Sequence, residues 1–180
     1  MPTHAPTTPV QLIVRRLSAS ASRGALQFGS LIVPCALGRS GTRVLKREGD
    51  GATPWGRFSM LEVLYNPART NRPVTPLPLK PIAKSDGWCD AAQDRNYNRR
   101  VRLPYPASAE HLHRDDGLYD VVVVLDYNIR QRVRQRGSAI FMHVARPGFL
   151  PTEGCIALHR QDLIRVLSRV PRNSKVRTAT

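Results

Sequence analysis

Apolar residues in this chain occur in short runs separated by turn-forming residues, and this spacing favours strands over helices. The longest run, Val121–Leu125, is strand-like in length, and its unbroken apolar character predicts burial on both faces. Partial alternation over Arg57–Tyr65 predicts a second strand. Further strands are predicted over residues 10–14, 25–28, 30–37, 117–125 and 138–144, with a turn at Arg23-Gly24. Many short strands indicate a mainly β fold, either a sandwich or an open barrel.

Two segments depart from the strand pattern. Apolar residues recur at helical spacing over residues 161–170, with Pro171 just past the end, and this predicts a C-terminal helix. A minor helix over residues 107–114 is a weaker candidate. Residues 66–118 are rich in Pro, Asn, Asp and Arg and have little periodicity, which predicts a long irregular insertion. Insertions of this length are more often functional lids than passive connections.

The length of 180 residues predicts one domain over residues 10–180. Residues 1–9 are rich in Pro and Thr and are predicted to form a disordered tail. The sequence has no apolar stretch near the ~18 residues that a membrane-spanning helix needs. The N-terminus also lacks the apolar region of a secretory signal.

The chain carries a net charge of +15, which favours a polyanionic partner. Nucleic acid and a carboxylate-rich cell-wall polymer are the two candidates. Since the sequence has no recognition helix, zinc finger or RNA-binding aromatic signature, nucleic-acid binding is not expected. Four arginines alternate with other residues and would share one face of a strand: Arg130, Arg132, Arg134 and Arg136. A solvated face or hairpin and a substrate-binding stripe are both compatible with this pattern.

A cysteine and a histidine near the C-terminus predict acyl transfer through a thioester. Cys155 follows Gly154, and His143 lies at the end of the predicted strand over residues 138–144. A neighbouring imidazole can activate a thiol as a nucleophile. Glycine lets backbone amides approach the developing oxyanion. His159 is an alternative base, while a buried inert thiol and a metal site are the competing interpretations of the cysteine.

The other two cysteines, Cys35 and Cys89, are far apart and form no CxxC pair, so a structural zinc site is not expected. They are either a disulfide or two buried thiols. No metal or organic cofactor is implied by the sequence.

Three segments together carry a family resemblance. Residues 152–158 read Thr-Glu-Gly-Cys-Ile-Ala-Leu and resemble the active-site signature of the YkuD-type L,D-transpeptidases. Residues 46–58, with Glu-Gly-Asp and Thr-Pro-Trp-Gly-Arg-Phe, are similar to a stretch near the start of that domain. A segment that contains Trp88 and the pair Tyr97-Asn98 is similar to a segment in one branch of the family.

The resemblance implies a β-rich YkuD fold, peptidoglycan stem peptides as partners, and a periplasmic location. It also implies cross-linking, usually of the 3-3 type. Glu153 and Ala157 replace the histidine and the arginine or glycine of the common motif, and in this the chain is similar to an Alpha- and Betaproteobacterial branch that makes 1-3 links from L-alanine to diaminopimelate. The catalytic residues that the resemblance implies are Cys155, His143 and Gly154. The candidates for substrate binding are Thr152, Glu153, Arg146, Trp88, Tyr97 and Asn98.

Several alternatives stay open at this point. Water could resolve the thioester, which would give an L,D-carboxypeptidase or endopeptidase. A basic module that binds nucleic acid or cell wall, with a dead site, is the alternative of another class. A periplasmic location requires either a signal removed from this chain or another export route, and a cytosolic protein is the third possibility. The sequence does not predict the oligomeric state.

Overall fold

A computed structural model describes residues 11–18 and 20–179, so the predicted tail over residues 1–9 lies outside the described residues. The described chain is built mainly from short strands, with one α-helix and one 3-10 turn. Their bounds are β1 Gln11–Arg16, β2 Arg23–Phe28, β3 Leu31–Ala36, β4 Thr42–Arg43, β5 Thr53–Pro54, β6 Arg57–Tyr65, β7 Leu79–Pro81, β8 Asp86–Cys89, β9 Arg99–Arg102, β10 Ala109–His111, β11 Val121–Leu125, β12 Phe141–Val144, the 3-10 turn Pro147–Phe149, β13 Ile156–Leu158, α1 Arg160–Leu167 and β14 Lys175–Ala179.

Eight of the strands close into a mixed barrel, which confirms the predicted mainly β fold. The strand order is β11-β12-β13-β3-β2-β1-β14-β6, and β6 pairs again with β11. Two neighbouring pairs are parallel, β1 with β14 and β12 with β13. β7 adds to β6 outside the ring. The parallel pair β12 and β13 carries the predicted nucleophile and base.

The fully buried strand β11 separates two apolar clusters. Val121 and Val123 point into the cluster that fills the barrel. Val122 and Val124 point the other way, into a smaller cluster on the outside of the barrel. Because each face of the strand meets its own apolar layer, the unbroken apolar run is satisfied on both sides, as its pattern predicts.

The outer layer is a small sheet with the order β10-β8-β9. This sheet lies within residues 66–118, which also contain β7. The predicted irregular insertion therefore contains four short strands. The predicted minor helix over residues 107–114 is wrong, because Ala109–His111 pairs with β8 as a strand. Trp88 on β8 packs edge-on against Phe141 at 5.1 Å between ring centroids, and this contact attaches the small sheet to β12.

The predicted C-terminal helix is confirmed, with α-helical bounds of Arg160–Leu167. Its apolar side chains Leu163, Val166 and Leu167 are buried, and the helix packs against β12. A final turn follows in which Val170 N–H donates to Val166 O at 3.1 Å, and Pro171 comes next. Across residues 11–18 and 20–179, no helix has the length and apolar character needed to cross a membrane.

One local prediction is wrong. Arg23 and Gly24 lie in β2 instead of in a turn, and a Cβ on Gly24 would sit 2.4 Å from Arg15 O, so glycine is needed for close strand approach. The segment of residues 130–136 forms a loop, so its four arginines do not share the face of a strand. The side chain of Asn128 explains this, because it bonds both Val133 N–H and Val133 O and so closes a loop.

Candidate active site

The parallel pairing of β12 with β13 brings the predicted nucleophile and base to one cavity. His143 lies opposite Ala157 in the register, and Cys155 immediately precedes β13. Both side chains line a cavity of about 480 Å³. The cavity opens between the end of the barrel and the small outer sheet, which contributes Asp90 and Glu110 to its wall.

Cys155 is only 8% exposed, and two backbone groups contact its sulfur. The thiol donates to Ala139 O at 3.2 Å, and Phe141 N–H donates to Sγ at 3.4 Å. Burial raises the pKa of Cys155 to about 12, and the charge of Glu110 acts in the same direction. Cys155 at rest is therefore a protonated thiol whose proton points to a carbonyl oxygen.

His143 is buried and held in one tautomer. Its Nδ1 lies 2.8 Å from Val144 O, and since a carbonyl oxygen only accepts, Nδ1 carries the proton. Nε2 is then the nitrogen with the free lone pair. Burial lowers the pKa of His143 to about 4, and the charges of Arg114 and Arg146 act in the same direction. The site at rest thus combines a neutral imidazole with a neutral thiol.

The turn before the nucleophile requires glycine for a reason that the sequence does not reveal. Gly154 has φ of +132°, and a Cβ there would lie 2.8 Å from Ala52 O. The glycine therefore lets the segment at residues 46–58 pack against the nucleophile turn. Thr152 Oγ1 accepts Gly154 N–H at 3.2 Å and donates to Cys155 O at 2.6 Å, so this side chain clamps the turn.

A buried ion pair lies beneath the same turn. Lys46 Nζ is 2.7 Å from Asp50 Oδ1, and the two side chains are 3% and 8% exposed. A Cβ on Gly154 would lie 3.4 Å from this Nζ. Asp50 also accepts Arg47 N–H at 2.8 Å and Ala52 N–H at 2.9 Å, which folds the loop around the pair. A positive charge is thereby fixed close to the backbone of the nucleophile.

Three residues that the sequence patterns did not single out surround the histidine. Tyr119 packs edge-on against His143, with 5.2 Å between the ring centroids. The guanidinium group of Arg114 lies over the ring of Tyr119, 5.2 Å from its centroid. Tyr119 O–H donates to Glu110 Oε1 at 2.6 Å. Burial raises the pKa of both Glu110 and Tyr119. No local motif marks these residues, because they meet only when the small sheet folds over β12.

The predicted substrate-binding residues divide into two groups. Thr152, Glu153 and Arg146 line the cavity. Glu153 is exposed and pairs with Arg39 at 2.9 Å, so a cation already offsets its charge.

Trp88, Tyr97 and Asn98 are buried, at 4%, 2% and 1% exposure, and do not line the cavity, so their contact with substrate stays a prediction. Trp88 Nε1–H donates to Asn98 Oδ1 at 2.9 Å, and Tyr97 O–H donates to Glu48. The second bond anchors the insertion to the loop at residues 46–50. These three residues build the wall from behind.

The remaining candidates lie away from the reaction centre. Cys35 and Cys89 are free and buried, so the disulfide alternative is wrong, and burial raises the pKa of Cys35 to about 12. His159 is exposed at the start of α1, outside the cavity. In the described part of the chain, no group of three or more His, Cys, Asp or Glu side chains is arranged to hold a metal ion.

Comparison with known proteins places the chain in a family. The crystal structure of L,D-transpeptidase 1 from Mycobacterium tuberculosis matches with 13% sequence identity and a TM-score of 0.40. The match covers 95% of this chain and 63% of that one, so this chain spans less than two thirds of the solved relative. No curated protein sequence gives a significant match. The family model named YkuD, the L,D-transpeptidase catalytic domain, matches residues 22–177, and the chain therefore belongs to the YkuD family.

Proposed function

We propose that this protein is a cysteine acyltransferase that cross-links peptidoglycan stem peptides, with Cys155 as nucleophile and His143 as base. Family membership supports the reaction class. The observation that supports the residue roles is that His143 and Cys155 line one cavity, with the histidine held in the tautomer that leaves Nε2 unprotonated. A base must be unprotonated before it can act, and the lowered pKa of His143 keeps it so at neutral pH.

The first half-reaction forms a thioester. Sulfur attacks a stem-peptide carbonyl carbon while His143 Nε2 takes the thiol proton, and the carbonyl electron pair moves to oxygen. As the tetrahedral intermediate collapses, the C–N bond breaks and the imidazolium gives its proton to the leaving amine. Gly154 N–H is already bonded to Thr152, so the Cys155 amide is our candidate for stabilising the oxyanion.

The second half-reaction transfers the acyl group to an amine. The side-chain amine of diaminopimelate in an acceptor stem attacks the thioester carbonyl, and His143 accepts its proton. The C–S bond then breaks and the sulfur recovers a proton from the imidazolium. The cavity wall carries both signs of charge, Arg114 and Arg146 with Asp90 and Glu110, which suits a peptide that bears carboxylates and an amine.

We assign the donor carbonyl to L-alanine, which gives a 1-3 link. Ala157 lines the cavity where the common motif often has arginine, so this position offers no bidentate holder for a terminal carboxylate. Glu153 adds nothing to this assignment, because Arg39 offsets its charge. Such a substrate would place the enzyme in the periplasm.

The central experiment incubates the purified protein with disaccharide tetrapeptides and identifies the dimers by tandem mass spectrometry. Wild-type protein should form dimers, Cys155→Ala should form none, and both should show the same circular dichroism. Cys35→Ala is the matched control, since it removes another buried thiol and should retain activity. Dimers from folded Cys155→Ala would contradict the mechanism.

The same spectra decide the finer points. Dimers linked through L-alanine would support the 1-3 assignment. Dimers of the 3-3 type, with release of D-alanine, would contradict it and leave the thioester mechanism in place. Cleaved monomers without dimers would show that water resolves the thioester, which would make the protein a hydrolase.

A further inference from the structure

A buried side chain in the outer sheet is connected to the nucleophile through the backbone. Asn98, on the hairpin between β8 and β9, is 1% exposed. Its Oδ1 accepts Trp88 Nε1–H at 2.9 Å and Ala139 N–H at 3.0 Å. Its Nδ2 donates to Tyr127 O at 3.0 Å. One amide group thus joins the insertion, the end of the barrel and the segment that precedes β12.

The segment held by Asn98 supplies both backbone contacts to the sulfur. Ala139 O accepts the thiol of Cys155 at 3.2 Å, and Phe141 N–H donates to Sγ at 3.4 Å. Ala139 has a φ of +51°, a conformation that is unfavourable for a residue with a Cβ. Such a conformation persists only where the surroundings enforce it, and the Asn98 bond to Ala139 N–H is one such constraint.

We propose that Asn98 is a positioning residue for the nucleophile: by holding Ala139, it fixes residues 139–141 and so sets where the sulfur of Cys155 points. The proposal rests on the proposed role of Cys155 as nucleophile. It gives a function to a buried asparagine that does not reach the cavity. Trp88 contributes by holding the same Oδ1 from the other side.

The direction of the effect follows from the two contacts. A hydrogen bond from Phe141 N–H to a thiolate is charge-assisted, whereas an S–H group is a weak donor to Ala139 O. Releasing the segment therefore costs the thiolate more than the thiol, and the pKa of Cys155 should rise. The other ionisable groups that act on the sulfur are Glu110 and Lys46, with Tyr119 and His143 on the same wall, and removal of the Asn98 side chain alters none of them directly.

The test is the rate at which iodoacetamide alkylates Cys155 near pH 8, followed by peptide mass spectrometry. Asn98→Gly keeps a backbone that tolerates the observed φ of +57° and removes the side chain. We expect alkylation to slow by about tenfold, the effect of losing one hydrogen bond to a charged group. Cross-linking should show a lower kcat with little change in KM.

Asn128→Gly is the matched control. Asn128 also has a positive φ, of +52°, and its side chain also makes three hydrogen bonds, but these close the loop at residues 128–137. Its alkylation rate should stay within about twofold of the wild type, because no bond to residues 139–141 is lost. Equal alkylation rates for folded Asn98→Gly and Asn128→Gly would overturn the proposal.

A second pair of variants keeps the test decisive if Asn98→Gly does not fold. Asn98 Oδ1 accepts two N–H groups, and Trp88→Phe removes one of these donors. The double variant Trp88→Phe/Asn98→Gly therefore leaves fewer buried donors unpaired than Asn98→Gly does. The double variant should alkylate about tenfold more slowly than Trp88→Phe alone, and equal rates would overturn the proposal. Alkylation needs no peptidoglycan, so failure of the cross-linking assay with slowed alkylation would reject the proposed function and keep the positioning role.

Discussion

At the residue scale, burial keeps the thiol of Cys155 and the imidazole of His143 neutral, and one buried ion pair lies close to them. Cys155 and His143 are neutral because desolvation opposes both charged forms. The Lys46 and Asp50 side chains lie 2.7 Å apart and offset each other, and backbone N–H groups bond the carboxylate of Asp50. In the proposed mechanism, proton transfer from sulfur to nitrogen therefore creates charge only as the sulfur attacks a carbonyl carbon, when the negative charge passes to the carbonyl oxygen.

Because the pKa of His143 is lowered in the folded protein, this residue should make the protein less stable at acidic pH. An unfolded histidine binds a proton near its usual pKa of ~6.5, while the folded one binds it only near pH 4, so stability is complete above pH 6.5 and is lost as the pH falls towards 4. Between pH 7 and pH 4.5, wild-type protein should lose about 2 kcal/mol more free energy of unfolding than His143→Gln. Urea titrations measure this difference. The exposed His159→Gln should behave as the wild type does, and an equal loss in His143→Gln would contradict the prediction.

The ion pair beneath the nucleophile turn should be costly to break. Lys46→Met leaves Asp50 buried without its cation, and we expect a loss of about 3 kcal/mol in the free energy of unfolding. Lys80→Met is the matched control, since the Lys80 and Glu62 side chains are 55% and 19% exposed and such pairs contribute about 1 kcal/mol or less. Urea denaturation compares the two. Similar losses in both variants would show that Lys46 is not held as the structure indicates.

At the element scale, the turn that carries Gly154 joins two segments that are distant in sequence. A Cβ on Gly154 would clash with Ala52 O, and the backbone φ there is also unfavourable for alanine. Gly154→Ala should therefore lower the free energy of unfolding by about 3 kcal/mol and reduce Cys155 alkylation. Gly29→Ala is the control, because Gly29 also has positive φ but open space around it, and it should lose only about 1 kcal/mol. Chemical denaturation and the rate of iodoacetamide alkylation are measured for both variants. Equal losses in Gly154→Ala and Gly29→Ala would contradict the predicted clash.

Elements whose pattern is local were predicted from the sequence, and elements that depend on distant partners were not. β6, β11 and α1 follow from runs or periods within their own residues. The small sheet was missed because its short strands carry no clear alternation and gain stability from contacts such as Trp88 with Phe141. The same limit applies to the site. Cys155 and His143 stand in a readable motif, but Glu110 and Tyr119 reach the cavity only through the fold.

At the scale of the whole molecule, the feature that bears on partners is the excess of basic over acidic side chains, 28 against 13. Net charge of +15 should favour association with a polymer that bears carboxylates. Exposed charges are screened beyond about 8 Å at physiological ionic strength, so retention on isolated peptidoglycan should weaken as salt is raised. Sedimentation measures retention, with Cys155→Ala as a binding-competent control. Retention that does not change with salt would show that the basic surface serves another partner.

The loop arginines can be tested for a specific share of this binding. A variant with four arginines replaced by glutamine distinguishes a substrate-binding stripe from a solvated loop. The replaced residues are Arg130, Arg132, Arg134 and Arg136. Because these residues lie in a loop, and Arg130 is also paired with Asp126, we expect retention to fall only in proportion to the charge removed. Loss of nearly all retention in the sedimentation assay would instead show that this loop is the main binding surface.

The position of β14 in the ring has a consequence for the order in which the molecule can be made. Lys175–Ala179 lies between β1 and β6, so the strand that closes the circle comes much later in the sequence than the two strands that it joins. A ribosome delivers β1 long before β14, and until then β1 and β6 each present backbone groups without a partner, which invites pairing with other chains. Closure therefore waits for β14, and until that strand has been made the sheet keeps two open edges, one at β1 and one at β6.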